Sequence, residues 1–188
     1  MRKKASKDLH GQIGALVAAA EAASRWFLAP SSAALSAART ARLRARAPRE
    51  AAVAALRGGH GPVKAEASGL SFALREAIEQ TVAAVSEAAR WGLFPDAAIA
   101  AAAAALKGSA LALSRAASCE GASRLEALVE AKRLAAEVER RRRDVRGEAL
   151  DSPVFVESVK RSEVVLLLSA AAESVQQSCD FLAGSLAE

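Results

Sequence analysis

Two carboxyl–amide pairs are the clearest candidates for binding chemistry in this chain. Glu76 precedes Gln80 by four residues, and Glu173 precedes Gln177 by the same interval. Side chains four residues apart are neighbours on an α-helix. Buried between helices, each pair could form part of a hydrogen-bonded network or could be what remains of a metal site. We favour structural hydrogen bonding, because buried polar groups nearly always have a hydrogen-bond partner.

A cluster of arginines is the second candidate, and it lies in the N-terminal half of the chain. Arg39, Arg42 and Arg46 recur at helical spacing, Arg49 continues the row, and only Glu50 opposes them locally. Such a face can meet phosphate, anionic lipid or an acidic loop of a partner. A surface that only aids solubility is the simpler interpretation. If the chain has a basic interaction face, we expect it here.

The run "EVERRRRDVR" at 137–146 is the most conspicuous charged segment. At a spacing of four, it predicts the ion pairs Glu137–Arg141, Glu139–Arg143 and Arg140–Asp144. Acidic residues interleave the run, and it contains no aromatic side chain for base stacking. The pattern favours a solvated, ion-paired helix. A nucleic-acid contact and an arginine turned inward toward an acid of another helix stay open as alternatives.

Other residue types give no catalytic or metal-binding pattern. His10 and His60 have no Cys, Asp or Glu at ligand spacing, and Cys119 and Cys179 lie far apart without a CxxC motif. No GxSxG motif or glycine-rich phosphate loop occurs. We therefore expect a non-enzymatic protein with no bound metal and no cofactor.

Composition indicates which elements position these side chains. The 188 residues are 52% hydrophobic, with alanine supplying much of that fraction, and only 4% aromatic. Alanine loses no side-chain entropy in a helix, so such a chain favours an all-α fold. Proline, glycine and capping residues divide it into about six helices, plus a short piece ending at Arg57. The expected helices cover about 7–28, 31–47, 63–91, 95–118, 121–150 and 153 to near the C-terminus.

The charge balance and the hydropathy of the chain indicate where the protein is located and what kind of partner it can bind. Residues 1–94 carry 14 Lys and Arg against 7 Asp and Glu, a balance of +7. Residues 95–188 carry 12 against 14, a balance of −2. The most hydrophobic run, 164–172, is shorter than the roughly 20 residues that cross a bilayer, and no secretory signal is visible. We expect a soluble, cytoplasmic protein without membrane insertion.

A weak internal repeat suggests how the helices are organised. "GPV" at 61–63 and "SPV" at 152–154 each open a long helix, and Glu76 and Gln80 in the first correspond to Glu173 and Gln177 in the second. An arginine-rich helix precedes each proline. We therefore predict two three-helix units, 1–94 and 95–188, packed as one globular body.

Two tandem three-helix units of this length resemble the PhoU-like family of phosphate-transport regulators. Pro62 and Pro153, with Glu76 and Glu173 further along their helices, carry the resemblance. The family repeats an acid-x-x-x-acid pair that binds iron or zinc clusters in some members. Gln80 and Gln177 stand where the family has aspartate, so the expected metal site does not carry over.

The resemblance implies a non-enzymatic regulator or accessory protein of phosphate transport that acts through helical protein–protein contacts. Its partner would be a phosphate permease or another protein of the transport system, and a homodimer is compatible with it. The alternative, from the residues alone, is a basic helical module that binds nucleic acid. We regard nucleic acid as the less favoured partner.

Overall fold

The described residues of the computed structural model form an all-α bundle. The backbone is described at residues 2–45, 62–93, 96–150 and 154–184, and side chains at 9–45, 68–93, 96–148 and 154–184. Six helices occupy these residues: α1 (Arg2–Leu28), α2 (Ser32–Arg44), α3 (Pro62–Arg90), α4 (Ala97–Ser118), α5 (Gly121–Leu150) and α6 (Phe155–Gly184). The predicted all-α class is confirmed. The short helical piece expected up to Arg57 lies outside the described residues.

Local signals in the sequence set several helix ends. The hydroxyl of Ser31 accepts the backbone N–H of Ala34 at 3.2 Å and starts α2. The Asp96 carboxylate accepts the N–H of Ile99 at 2.7 Å and starts α4. At the end of α3, Gly92 has a φ of +61°, which a glycine adopts without strain. The N–H of Leu93 then reaches the carbonyl of Ala88 at 2.9 Å, closing a Schellman motif.

The helices pack as two up-down-up groups of three. In the first group α1, α2 and α3 all contact one another, and in the second α4, α5 and α6 do so. The first and third helices of each group run parallel, as contacts between their first halves indicate. Gln12 bonds to Ser71, each in the first half of its helix, and Asp96, at the start of α4, meets Arg161 in the first half of α6.

The two groups join through equivalent helices. Among the described residues, α1 packs on α4 and α3 packs on α6, whereas the consecutive helices α3 and α4 make no contact. Both contacts are antiparallel: His10 lies 3.3 Å from the carbonyl of Ala117, and Lys160 lies 3.3 Å from the carbonyl of Trp91. A twofold axis perpendicular to the helices would produce this pattern. The division at residue 94 stays a prediction, since that residue is outside the described ranges.

Alanine dominates the core between these helices. Of the 45 buried hydrophobic side chains in the described residues, 24 are alanine. Helices that present small side chains can approach toward the lower end of the roughly 8–10 Å range of axial separations. Gly69 is an extreme case of a small residue at a helix contact, because a Cβ atom there would lie 2.3 Å from the ring of Phe181 on α6.

One described helix, α4, is long and apolar enough to span a membrane by length and composition. Half of its apolar window is buried inside the bundle, against α1, α5 and α6. A core helix that is covered on several sides has the same composition, because each side must be apolar.

The close contact between Gly69 and Phe181 leads to a stability prediction. Gly69→Ala should lower the free energy of unfolding by about 1–2 kcal/mol, because the added methyl overpacks the α3–α6 contact. Gly14→Ala is the matched control: Gly14 also lies inside a helix, but apart from its chain neighbours and the backbone of its own helix no atom lies within 4 Å of its added Cβ. This control should raise stability by about 0.5–1 kcal/mol through helix propensity.

Urea denaturation of both variants measures the difference. Adding Phe181→Leu to Gly69→Ala should recover part of the loss, since the two residues share one contact. Equal stabilisation by the two glycine substitutions would show that α3 and α6 are not this close.

Candidate functional site

The first carboxyl–amide pair forms a local hydrogen bond on α3. The amide of Gln80 donates to the carboxylate of Glu76 at 2.7 Å, and both side chains are half-buried. The same helix face carries Gly69, so the pair lies at the solvent edge of the α3–α6 contact. This bond gives each group one hydrogen-bond partner on its own helix.

The second pair is in a different environment. Glu173 and Gln177 are both exposed on α6, and no hydrogen bond like that of Glu76 and Gln80 joins them among the described side chains. Glu173 instead lines a groove between α5 and α6. The correspondence in the sequence is therefore not matched by an equivalent pair of sites.

Groups that could ligate a metal are dispersed. Within the part of the chain that the structure describes, no three His, Cys, Asp or Glu side chains come together. Burial raises the pKa of the Cys179 thiol to about 12, so this thiol is uncharged at neutral pH. His60 lies outside the described residues.

The basic cluster on α2 is partly used inside the fold. Arg42 forms an ion pair with Glu79 of α3 at 2.7 Å and so ties the two helices together. Arg39 is exposed, as is the neighbouring Arg44. Arg46 and Arg49 lie outside the described residues. Arg42 therefore has a structural partner that local sequence spacing did not reveal, because Glu79 is far away along the chain.

The arginine run on α5 is extensively ion-paired. The expected pairs Glu137–Arg141, at 2.9 Å, and Glu139–Arg143, at 3.4 Å, both form. Arg140 pairs with Glu137 instead of Asp144, and Asp144 contacts Arg141 at 3.5 Å. On a helix, an arginine can pair with a carboxylate three residues away as well as with one four residues away. The same charged residues therefore form a partly different set of ion pairs from the expected one.

The α5–α6 groove, of about 440 Å³, brings five polar side chains together. Its walls are Ala135, Glu139, Arg142, Leu166, Ser169, Ala170, Ala172, Glu173 and Gln176. Arg142 donates two hydrogen bonds of 2.7 Å to the two oxygens of Glu139. Ser169 of α6 adds a third at 2.6 Å. The groove therefore contains the ion pair of Arg142 with Glu139 beside the exposed carboxylate of Glu173.

These contacts determine the protonation states of Glu139 and Arg142. Hydrogen bonding from Arg142, above all, lowers the pKa of Glu139 to about 2, although partial burial acts in the opposite direction. The same bond raises the pKa of Arg142. At neutral pH both groups are charged and bound to each other. The alternative of an arginine turned toward an acid of another helix is not what the structure shows for this run: half-buried Arg142 pairs with Glu139 of its own helix, and Ser169 links that carboxylate to α6.

A three-helix ion cluster lies near one end of this groove and was missed from the sequence. Arg161 of α6 contacts Asp96, which caps α4, and Glu148 of α5 at 2.9 Å. Burial lowers the pKa of Arg161, but the charge of Asp96 and the hydrogen bonds to Glu148 and Asp96 outweigh it, so the pKa is raised. Its partners are 65 and 13 residues away, beyond the reach of periodicity arguments.

No protein-family model matches the chain, and no curated protein is detectably similar to it. The groove and the basic residues of α2 are thus interpreted from their own chemistry.

Removing the charge of Glu139 should change how stability depends on pH. Because the folded-state pKa is about 2 and the ordinary value is 4.5, the carboxylate stabilises the fold above about pH 4.5, and this contribution disappears as the pH falls toward 2. Glu139→Gln should cost about 1 kcal/mol at pH 7, since the pair is partly exposed to solvent. The deficit should shrink steadily between pH 4.5 and 2.

Urea melts across that range measure the effect. Glu173→Gln in the same groove is the control and should change stability by less than about 0.5 kcal/mol, because its side chain is exposed. A Glu139→Gln deficit that is independent of pH would rule out the charged pair as its cause.

Proposed function

We propose that the protein is a non-enzymatic regulator or accessory protein of phosphate transport that acts through helical protein–protein contacts. The observation that supports it is the helix arrangement. The described helices form two groups of three, α1 to α3 and α4 to α6, in which every helix contacts the other two, and two packed three-helix units are what the resemblance to PhoU-like regulators implies. The proposed partner is a phosphate permease or another cytoplasmic-facing protein of the transport system.

The basic residues of α2 are the proposed contact surface. Arg39 is exposed, and Arg42 is held at the surface by its ion pair with Glu79 while keeping 44% of its side chain accessible. A guanidinium in this position can bind a carboxylate of a partner in a bidentate manner. Loops of a permease that carry Asp or Glu would complement it.

The alternative, nucleic-acid binding, has less support from the charges. Arg140, Arg141, Arg142 and Arg143 each contact a carboxylate of their own helix. Phosphate contact would have to displace those carboxylates, which offsets the electrostatic gain from counterion release.

The decisive experiment is co-purification of the full chain with a detergent-solubilised phosphate permease from the same cell. Arg39→Glu should weaken binding about tenfold, and raising the salt from about 0.05 M to 0.5 M should weaken it further. The melting temperature should be unchanged, because an exposed charge contributes little to stability. Arg90→Glu on α3 is the control, since Arg90 is also exposed, at 70% of its side chain.

Two outcomes would contradict the proposal. One is failure of the permease to bind under low salt. The other is tight, salt-dependent RNA or DNA binding that disappears when Arg141 and Arg142 are changed to Glu, which would favour the nucleic-acid alternative.

A further inference from the structure

The α5–α6 groove contains more negative charge than positive charge. Arg142 binds both oxygens of Glu139, and Ser169 donates to the same carboxylate, so the charge of Glu139 is neutralised and its oxygens are occupied. The other carboxylate that lines the groove belongs to Glu173, which is exposed and forms no ion pair with any other described residue. Two carboxylates against one guanidinium leave a net charge of −1 in the groove, at Glu173.

The charged and apolar residues of the groove lie at different ends. Ser169 of α6 meets Glu139 of α5 near the middle, and these consecutive helices run antiparallel. Glu173 therefore lies toward one end, whereas Arg142 and Leu166 lie together at the other. Glu173 and Leu166 are seven residues apart along α6, which is roughly 10 Å.

The end at Glu173 is suited to a cation that donates hydrogen bonds. Gln176, half-buried and about one turn further along α6, adds an amide oxygen that can accept. Lys132 of α5 does not balance this end, because its ammonium is engaged with Asp180. None of the described residues that line the groove is aromatic. A quaternary ammonium, which is recognised by aromatic rings, is therefore less suited to this end than a protonated primary amine.

The opposite end is suited to an aliphatic chain. Leu166 is 46% exposed there, Ala170 lies between it and Glu173 on the wall of the groove, and the stem of Arg142 adds further apolar surface. The groove volume of about 440 Å³ is within the range of about 300–1,000 Å³ that is common for small-molecule sites. An extended chain of about eight carbons spans the length of the groove, at roughly 1.2 Å per bond.

We infer that the α5–α6 groove binds a small primary alkylamine in its protonated form. The ammonium donates to the carboxylate of Glu173 and to the amide oxygen of Gln176, and the alkyl chain lies over Ala170 toward Leu166. A second ammonium at the far end of the chain would be placed beside the guanidinium of Arg142, so the site favours a monoamine over a diamine. This site is separate from the α2 surface and does not depend on the permease partner.

Titration of the ¹⁵N-labelled full chain with octylammonium, followed by two-dimensional NMR, tests the inference. Amide signals of the groove residues should shift and reach saturation with a Kd of about 1 mM, as expected for so small a ligand in an open groove. Two other ligands are matched controls. Octyltrimethylammonium keeps the charge and the chain but has no N–H group, and the eight-carbon diamine carries a second ammonium. Each should bind about fivefold more weakly or worse.

Three variants assign the two ends of the ligand. Glu173→Gln should raise the Kd of octylammonium about tenfold, because the charge-assisted hydrogen bond is lost. Glu163→Gln is the matched control, since Glu163 is an exposed carboxylate of the same helix that does not line the groove, and it should leave the Kd unchanged. Leu166→Ala should raise the Kd of octylammonium about threefold but leave that of the shorter butylammonium unchanged.

Circular dichroism melts show that the variants are folded, which is expected because all three side chains are exposed. Absence of saturable shifts up to about 10 mM octylammonium, well above the expected Kd, overturns the inference. Binding that Glu173→Gln leaves unchanged does so as well, and so does a control ligand that binds as tightly as octylammonium. Shifts spread evenly over all six helices would indicate a detergent effect and would also overturn it.

Discussion

The fold depends on helices that approach one another closely across alanine. Alanine buries little apolar area per residue, so each contact must be long and well fitted to contribute enough stability. Helices of 22–30 residues provide that length in α1 and α3 to α6. The closeness also explains where small residues and backbone-reaching hydroxyls occur. Ser109 of α4 donates to the carbonyl of Ala131 on α5 at 2.8 Å, which larger side chains at the contact would prevent.

Because alanine makes up more than half of the buried apolar side chains that the structure describes, polar contacts at the margins of the core supply much of the specificity between helices. Gln12 fixes α1 against α3, Arg42 fixes α2 against α3, and Arg161 fixes three helices at once. Each of these contacts is directional, whereas alanine against alanine permits neighbouring registers with little difference in energy. The margins of the bundle therefore decide which register the alanine faces adopt.

Helix existence and most helix ends could be predicted from this sequence, whereas side-chain partners between helices could not. Ser31, Asp96 and Gly92 act through neighbours in the chain, so their roles are visible locally. Glu79, Glu148 and Ser169 act on residues brought near only by packing. The repeat illustrates the limit: Glu76 and Glu173 align in sequence, yet one bonds to its own Gln and the other lines a groove. The sequence pattern therefore predicts where a residue lies along its own helix, but not which residue of another helix it contacts.

The absence of contact between the consecutive helices α3 and α4, among the described residues, has a consequence for synthesis of the chain. The face of α1 that packs on α4 stays uncovered until about 70 further residues have been made, because α2 and α3 cover only its other sides. At roughly 5–20 residues per second on the ribosome, that interval lasts several seconds. Alanine supplies five of the nine buried apolar side chains that the structure describes in α1, so the waiting helix exposes less apolar area to other nascent chains than one built of leucine and isoleucine would. The small side chains that allow the final close packing thus also reduce the apolar surface of the half-made protein.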